Sequence, residues 1–284
     1  MVDRRLGVQG LLPLLLLTPV TIAQQGAPAD LPSSLVRQAL AAELRAAKDT
    51  AHPMRYRLFK STPRLSSLKE ICETKDGSVA RLLEINGHPL NSVDEQKEQG
   101  RLDSLLSDPG RQRHRKQSED QDASRALEVL RALPTAFVYT YAGSGDASIG
   151  HVEKFTFKPN PGFDPPNLET QVLTEMTGEL WVDPAHERVT RLEGHLQHDV
   201  AFGWGILGRL NKGGWIIIEQ SDVGDGQWRV VRFQMAMSGR VLFKTRSFDT
   251  TEEESRFESV PLGMGYAEAI RLLRGDAATE HAGR

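Results

Sequence analysis

Cysteine is all but missing: Cys72 is the only one in 284 residues. A single thiol forms no internal disulfide, so apolar burial has to hold the fold together. Cys72 lies in the strand-like stretch LKEICETK, where a buried or half-buried structural cysteine is expected. Long apolar runs are missing as well. Beyond residue 23 no stretch of about 18 unbroken apolar residues occurs, so no later helix is expected to cross a bilayer. Nor is there a surplus of positive charge. Lys plus Arg number 35 against 38 Asp plus Glu, a formal net charge of −3, which lacks the overall basic footprint of a nucleic-acid partner.

The chain does have a marked start. Arg4 and Arg5 precede the apolar stretch Leu11 to Ile22, which is too short to span a bilayer comfortably. Thr21 and Ala23 suit the −3 and −1 positions of a signal-peptidase site. Residues 1–23 therefore read as a secretory signal, and a soluble, exported, periplasmic protein is expected. No cysteine follows the apolar stretch, so no lipoprotein anchor is expected. Residues 24–32 form a polar spacer.

From Ser33 the pattern turns helical, with Leu35, Ala39, Leu40 and Leu44 near one face. Strand signals follow in MRYRLF, LKEICET and VARLLEI. Asp76-Gly77 and Asn86-Gly87 supply hairpin turns, because these residues tolerate positive φ. Residues 92–133 are charged and rich in Leu and Ala, which predicts a helical insert. Asp108-Pro109-Gly110 breaks it into two helices and Pro134 ends the second. That second helix carries Arg111, Arg113, Arg115 and Lys116, followed by Glu119, Asp120 and Asp122. The run reads as a solvated face, or as a contact for an anionic lipid headgroup or an envelope protein.

After Thr135 nearly everything reads as strand. In WRVVRFQMAM, Val231, Phe233, Met235 and Met237 share a face opposite Arg232 and Gln234. Residues 33–262 are expected to form one domain, and residues 263–284 a short helix and tail. The fold class is α+β. So many antiparallel strands must curl, forming an incomplete β-barrel closed by the N-terminal helix and the helical insert. Helices against the concave side would enclose an apolar cavity.

Candidate chemistry is sparse. Gly203 to Gly208 reads GWGILG, a match to G-x-G-x-x-G. A dinucleotide loop needs a parallel strand before it and a helix after it, whereas RLNKGG breaks within a few residues. The stretch reads instead as a hairpin loop bearing Phe202, Trp204 and Leu207, with Arg209 and Lys212 at its base. His195 and His198 fall on opposite faces of a strand and do not converge on a metal. SDVGDGQ lacks the closing acidic residue of a calcium loop. Glu252, Glu253 and Glu254 read as a solvated edge. No nucleophile, base and oxyanion donors assemble, so no catalytic residue, metal or cofactor is expected.

The order of elements resembles the LolA/LolB-like family of outer-membrane lipoprotein-sorting proteins. The resemblance lies in the exported N-terminal helix, the helical insert and the run GELWVDPAHERVTRLEGHL, FGWGILGRLNKGGWIIIEQSDVGDGQWRVVRFQMAMSGRVLFK. It implies an incomplete barrel with an apolar cavity for acyl chains, and lipid or lipoprotein binding without catalysis. The expected ligand-binding residues are Trp181, Phe202, Trp204, Leu207, Val231, Phe233, Met235 and Met237. Lipid or acylated lipoprotein is the expected partner, with peripheral membrane contact. Two alternatives stay open: a protein-interaction or envelope-stress sensor module of the same fold, and a hydrolase with an unrecognised site.

Overall fold

A computed structural model describes residues 31–147, 150–202, 208–241 and 244–282. The expected signal, most of the expected spacer, Trp204 and Leu207 lie outside these residues.

Thirteen strands form one antiparallel sheet, in the order β4-β3-β2-β1-β13-β12-β11-β8-β7-β6-β5, with β10 on β12 and β9 on β10. Its two edges, β4 (His88–Pro89) and β5 (Phe137–Ala147), do not pair with each other. The barrel is therefore incomplete, as expected. The first three strands, β1 (Met54–Thr62), β2 (Leu65–Cys72) and β3 (Val79–Ile85), follow the hairpin signals. Gly77 at φ +94°, Asn86 at +52° and Gly87 at +75° take the left-handed backbone those turns require.

The inner face carries the larger core. Helix α1 (Leu31–Ala46) brings Val36, Ala39 and Leu40 onto β7 (Met176–Asp183) and β8 (Arg188–Leu196). β5 and β6 (Gly150–Pro159) add Phe137, Phe155 and Phe157 to the same cluster. The rings of Phe137 and Phe157 pack 4.4 Å apart. Glu43 falls on the same helical stripe as Val36, Ala39 and Leu40, and it is buried too. Its carboxylate accepts two hydrogen bonds from Arg188, both at 2.9 Å, and one from the backbone N–H of Val189 at 3.0 Å. One side chain thus fixes α1 to β8.

The insert is two helices, α2 (Ser92–Ser107) and α3 (Pro109–Ala136). Asn91 caps the first through the N–H groups of Val93 and Asp94. Pro134 does not end α3, which runs two residues further. A proline this close to the terminus forfeits one hydrogen bond, and the burial of Ala132, Leu133 and Ala136 outweighs it. α3 spans about 40 Å. Its C-terminal end sits in the inner core. Its N-terminal part packs on the β2–β3 turn, where Gln112 donates to the Asp76 carbonyl at 2.9 Å.

The second core lies on the other face. Cross-strand partners share a face, so the register carries facing from strand to strand: Met235 with Thr250, Glu254 with Leu58, and Arg55 with Cys72. Leu58 shares the inner face, and Arg55 and Cys72 face outward. α2 and α5 (Tyr266–Ala282) cover Cys72 and Val79 there with Leu102, Leu105, Ala269, Ile270 and Leu273. The expected short C-terminal helix is 17 residues long and structural. Cys72 is fully buried beside the Met264 sulfur, and burial pushes its thiol up to about 11, which makes it inert at neutral pH.

Candidate functional site

Between the two cores runs a strip of inner face that neither of them covers. Helices pack mainly on β2, β3, β5, β7 and β8, leaving β11 (Trp215–Asp222), β12 (Trp228–Val241), β13 (Lys244–Ser259) and β1. Ile216 pairs with Met235 and Ile218 with Phe233. Beyond β13, whose Thr250, Glu252 and Glu254 face the same side, Leu58 and Tyr56 add apolar surface on β1, where the Tyr56 ring stacks on Phe257 at 5.4 Å. All seven apolar side chains are half-buried. Phe233, Met235, Ile218 and Leu58 belong to neither core. The expected cavity is thus an open trough and not an enclosed space. The helices that would roof it are divided between the two faces.

The trough ends in a charged cleft of about 620 Å³. β12 and β13 pair only from Arg232 and Glu253 to the hairpin tip, and beyond that β13 follows β1 alone. Arg229 reaches across the gap. It donates to both carboxylate oxygens of Glu73 at 3.3 Å and to the His52 carbonyl at 2.7 Å. Asp49, Lys116 and Glu119 complete the wall, with Glu119 accepting from the Ser78 N–H at 2.9 Å.

Glu254 stands between trough and cleft, cross-strand from Leu58. Burial raises its carboxyl from an ordinary 4.5 to about 7, and Glu73 and Glu252 add to this against the opposing pull of Arg229. The same surroundings push the Tyr56 phenol up, by burial first and then by Glu254 and Glu73. The stability consequence has a definite sign. The folded state holds the Glu254 proton more tightly than the unfolded chain does. The penalty is absent below the ordinary carboxylate range and complete above about pH 7. Stability is expected to fall between pH 5 and pH 8 by at most about 3 kcal/mol from this group. Urea melts across that range should show the fall in the native chain and a flatter profile for Glu254→Gln.

The sequence-predicted ligand residues separate. Phe233 and Met235 lie in the strip. Met237 lies at its margin, against the inner core, and so does Phe202 on β9 (Val200–Phe202). Val231 is the extra residue where the β11–β12 register shifts. Trp181 does not join them. Leu180 and Val182 turn into the inner core, so the intervening Trp181 faces outward. There Lys154 Nζ lies 4.2 Å from its ring centroid, Arg191 stacks at 5.4 Å, and its indole N–H donates to Glu179.

The basic run on α3 is half structural. Arg115 donates to the Ser78 carbonyl at 3.3 Å, Lys116 pairs with Asp120 at 2.7 Å, and Arg111 lies 3.3 Å from Asp108. Arg113 is exposed. Glu73, Arg229 and Glu254 were not legible as site residues. Their convergence depends on where β13 leaves β12, which no local pattern encodes.

A second cleft, of about 520 Å³, lies on the outer face, where Glu179 and Glu193 oppose each other across β7 and β8. Arg191 and His195 hold the Glu193 carboxyl below the usual range. His195 lies 2.9 Å from Glu193, while His198 lies 3.0 Å from Glu175 beyond the strand. Among the described residues no three His, Cys, Asp or Glu side chains form a set that could hold a metal.

No family model matches the chain, and no curated protein matches it. Among solved structures it is similar to one described as an outer membrane lipoprotein-sorting protein domain from Vibrio parahaemolyticus. Identity is 11%, coverage is 83% of this chain and 97% of the other, and the TM-score is 0.29. That description names the kind of protein the sequence resembles. A superposition this loose carries no weight, and function has to be read from the trough itself.

Proposed function

We propose that this chain is an exported, non-catalytic binding or carrier protein for amphipathic molecules, lipids or acylated lipoproteins. The acyl chain would lie along the trough and the polar end at the charged cleft. One observation carries the reading: Ile216, Ile218, Phe233 and Met235 form a contiguous apolar patch on β11 and β12 that the protein's own cores leave half-buried, bordered by Thr250, Glu252 and Glu254 of β13. Each acyl CH₂ group withdrawn from water there contributes about 0.8 kcal/mol, so a chain of several carbons supports useful affinity. The groups of the cleft are paired mostly with one another, which suits a rim that tolerates a polar end. A sensor role through the α3 basic run is less well supported, because Arg115 and Lys116 are already engaged within the fold.

Native mass spectrometry of the purified protein tests the reading. The expected spectrum contains a species heavier than the bare chain by the mass of a lipid, displaceable by a fluorescent fatty acid. A bare chain that also ignores the fatty acid would sink the proposal.

A further inference from the structure

The end of the sheet away from the cleft carries a different feature. β9 pairs with β10 (Gly208–Leu210), and β10 pairs with the far end of β12. Gly208 faces Val241, Arg209 faces Arg240 and Leu210 faces Gly239. On the other side of β12, Val241 faces Lys244, Arg240 faces Thr245 and Gly239 faces Arg246. β1 pairs with β13 only from Thr251 onward, so Lys244 to Thr250 has β12 alone beside it. β9, β10 and the far ends of β12 and β13 therefore carry the sheet past β11 and β1, with Val200, Phe202, Leu210 and Met237 held against the inner core.

Four basic side chains ring that end of the sheet. Cross-strand pairing puts Arg209 and Arg240 on one face and Lys244 and Arg246 on the other. All four are exposed. Asp199 lies 3.2 Å from Arg209. The side chains of Arg240, Lys244 and Arg246 have no ion pair or hydrogen bond among the described residues. Two like charges directly opposite each other are unfavourable in a sheet. Among the described residues no side-chain partner offsets that cost for Arg240.

We infer that this basic end of the sheet docks on the anionic surface of a lipid bilayer. Charge complementarity selects the occupant. The chain as a whole is net negative, so its general surface would not attract an anionic membrane. The positive charge is concentrated at one end of the sheet and lies on both of its faces there, so an end-on approach engages all four side chains at once. Nucleic acid would call for a stripe along one face. Phe248, 45% exposed and cross-strand from Met237, extends the apolar trough toward the same end. The docking rests on the four basic groups and does not depend on what the trough holds.

Cosedimentation of the full chain with vesicles tests this. Binding is expected to phosphatidylcholine vesicles containing phosphatidylglycerol, to weaken with added salt, and to be absent with phosphatidylcholine alone. Each basic side chain removed should cost about five-fold in partitioning, so Arg240→Gln, Lys244→Gln and Arg246→Gln together should cost about 100-fold. Arg240→Lys with Arg246→Lys should retain binding, and so should Arg111→Gln with Arg113→Gln on α3. Undiminished binding by the triple variant, equal binding to neutral vesicles, or no binding to either would overturn the inference. So would a loss confined to the α3 variant.

Discussion

Glu43→Ala is expected to destabilise the protein by about 3 to 5 kcal/mol, lowering Tm by about 10 °C. Truncation removes three hydrogen bonds at once and leaves the guanidinium of Arg188, 13% exposed at its side chain, without its carboxylate partner and with only the Trp228 ring beside it. It also leaves the buried N–H of Val189 without its acceptor. Glu43→Gln keeps an acceptor oxygen and should lose less. Glu43→Leu combined with Arg188→Met should recover much of the loss, because replacing a buried pair by apolar side chains avoids the desolvation of both charges. Thermal melts of the three variants separate these outcomes. Equal stability of Glu43→Ala and the native protein would show that α1 is not held at this point.

Phe233→Asp together with Met235→Asp should weaken binding of a fluorescent fatty acid by about 100-fold or more, because an acyl chain in the trough would then lie against two carboxylates. Tm should change little, since both side chains are half-exposed and belong to neither core. The same assay on Trp181→Asp should show native affinity, because that ring lies on the outer face between Lys154 and Arg191. Unchanged affinity in the Phe233 and Met235 variant would place the ligand elsewhere.

The pairs Phe155 and Phe157, and Phe233 and Met235, were legible in the sequence because alternation on a strand is a local signal with a period of two. For Trp181 the same alternation applies: with Leu180 and Val182 turned into the inner core, its ring falls on the opposite face from Phe233 and Met235. Glu43 was legible in principle, since it falls on the stripe set by Val36, Ala39 and Leu40. A carboxylate on an apolar stripe announces a buried partner. Which partner it finds depends on Arg188, 145 residues away.

Glu254 was illegible for another reason. Three consecutive glutamates on a strand give no clue which of them turns inward. β1 decides, by placing Leu58 opposite Glu254 and Lys60 opposite Glu252. The division of the helices between two faces was also hidden, because the facing of β2 relative to β12 emerges only after the register is followed across β13 and β1.

That division has a mechanical consequence. The inner core and the outer core share no residue, and they are joined by a continuous sheet whose middle strands touch the inner core only at their margin, through Ile216 and Met237. A sheet braced at both ends and bare in the middle is a leaf spring. α3 spans the same distance as a strut, seated on the β2–β3 turn at one end and in the inner core at the other. The bend of the four strands between the two anchors sets the width of the trough. A strut of fixed length limits how far such a span can flatten, so bending is expected to be taken up by the middle strands before either core is disturbed.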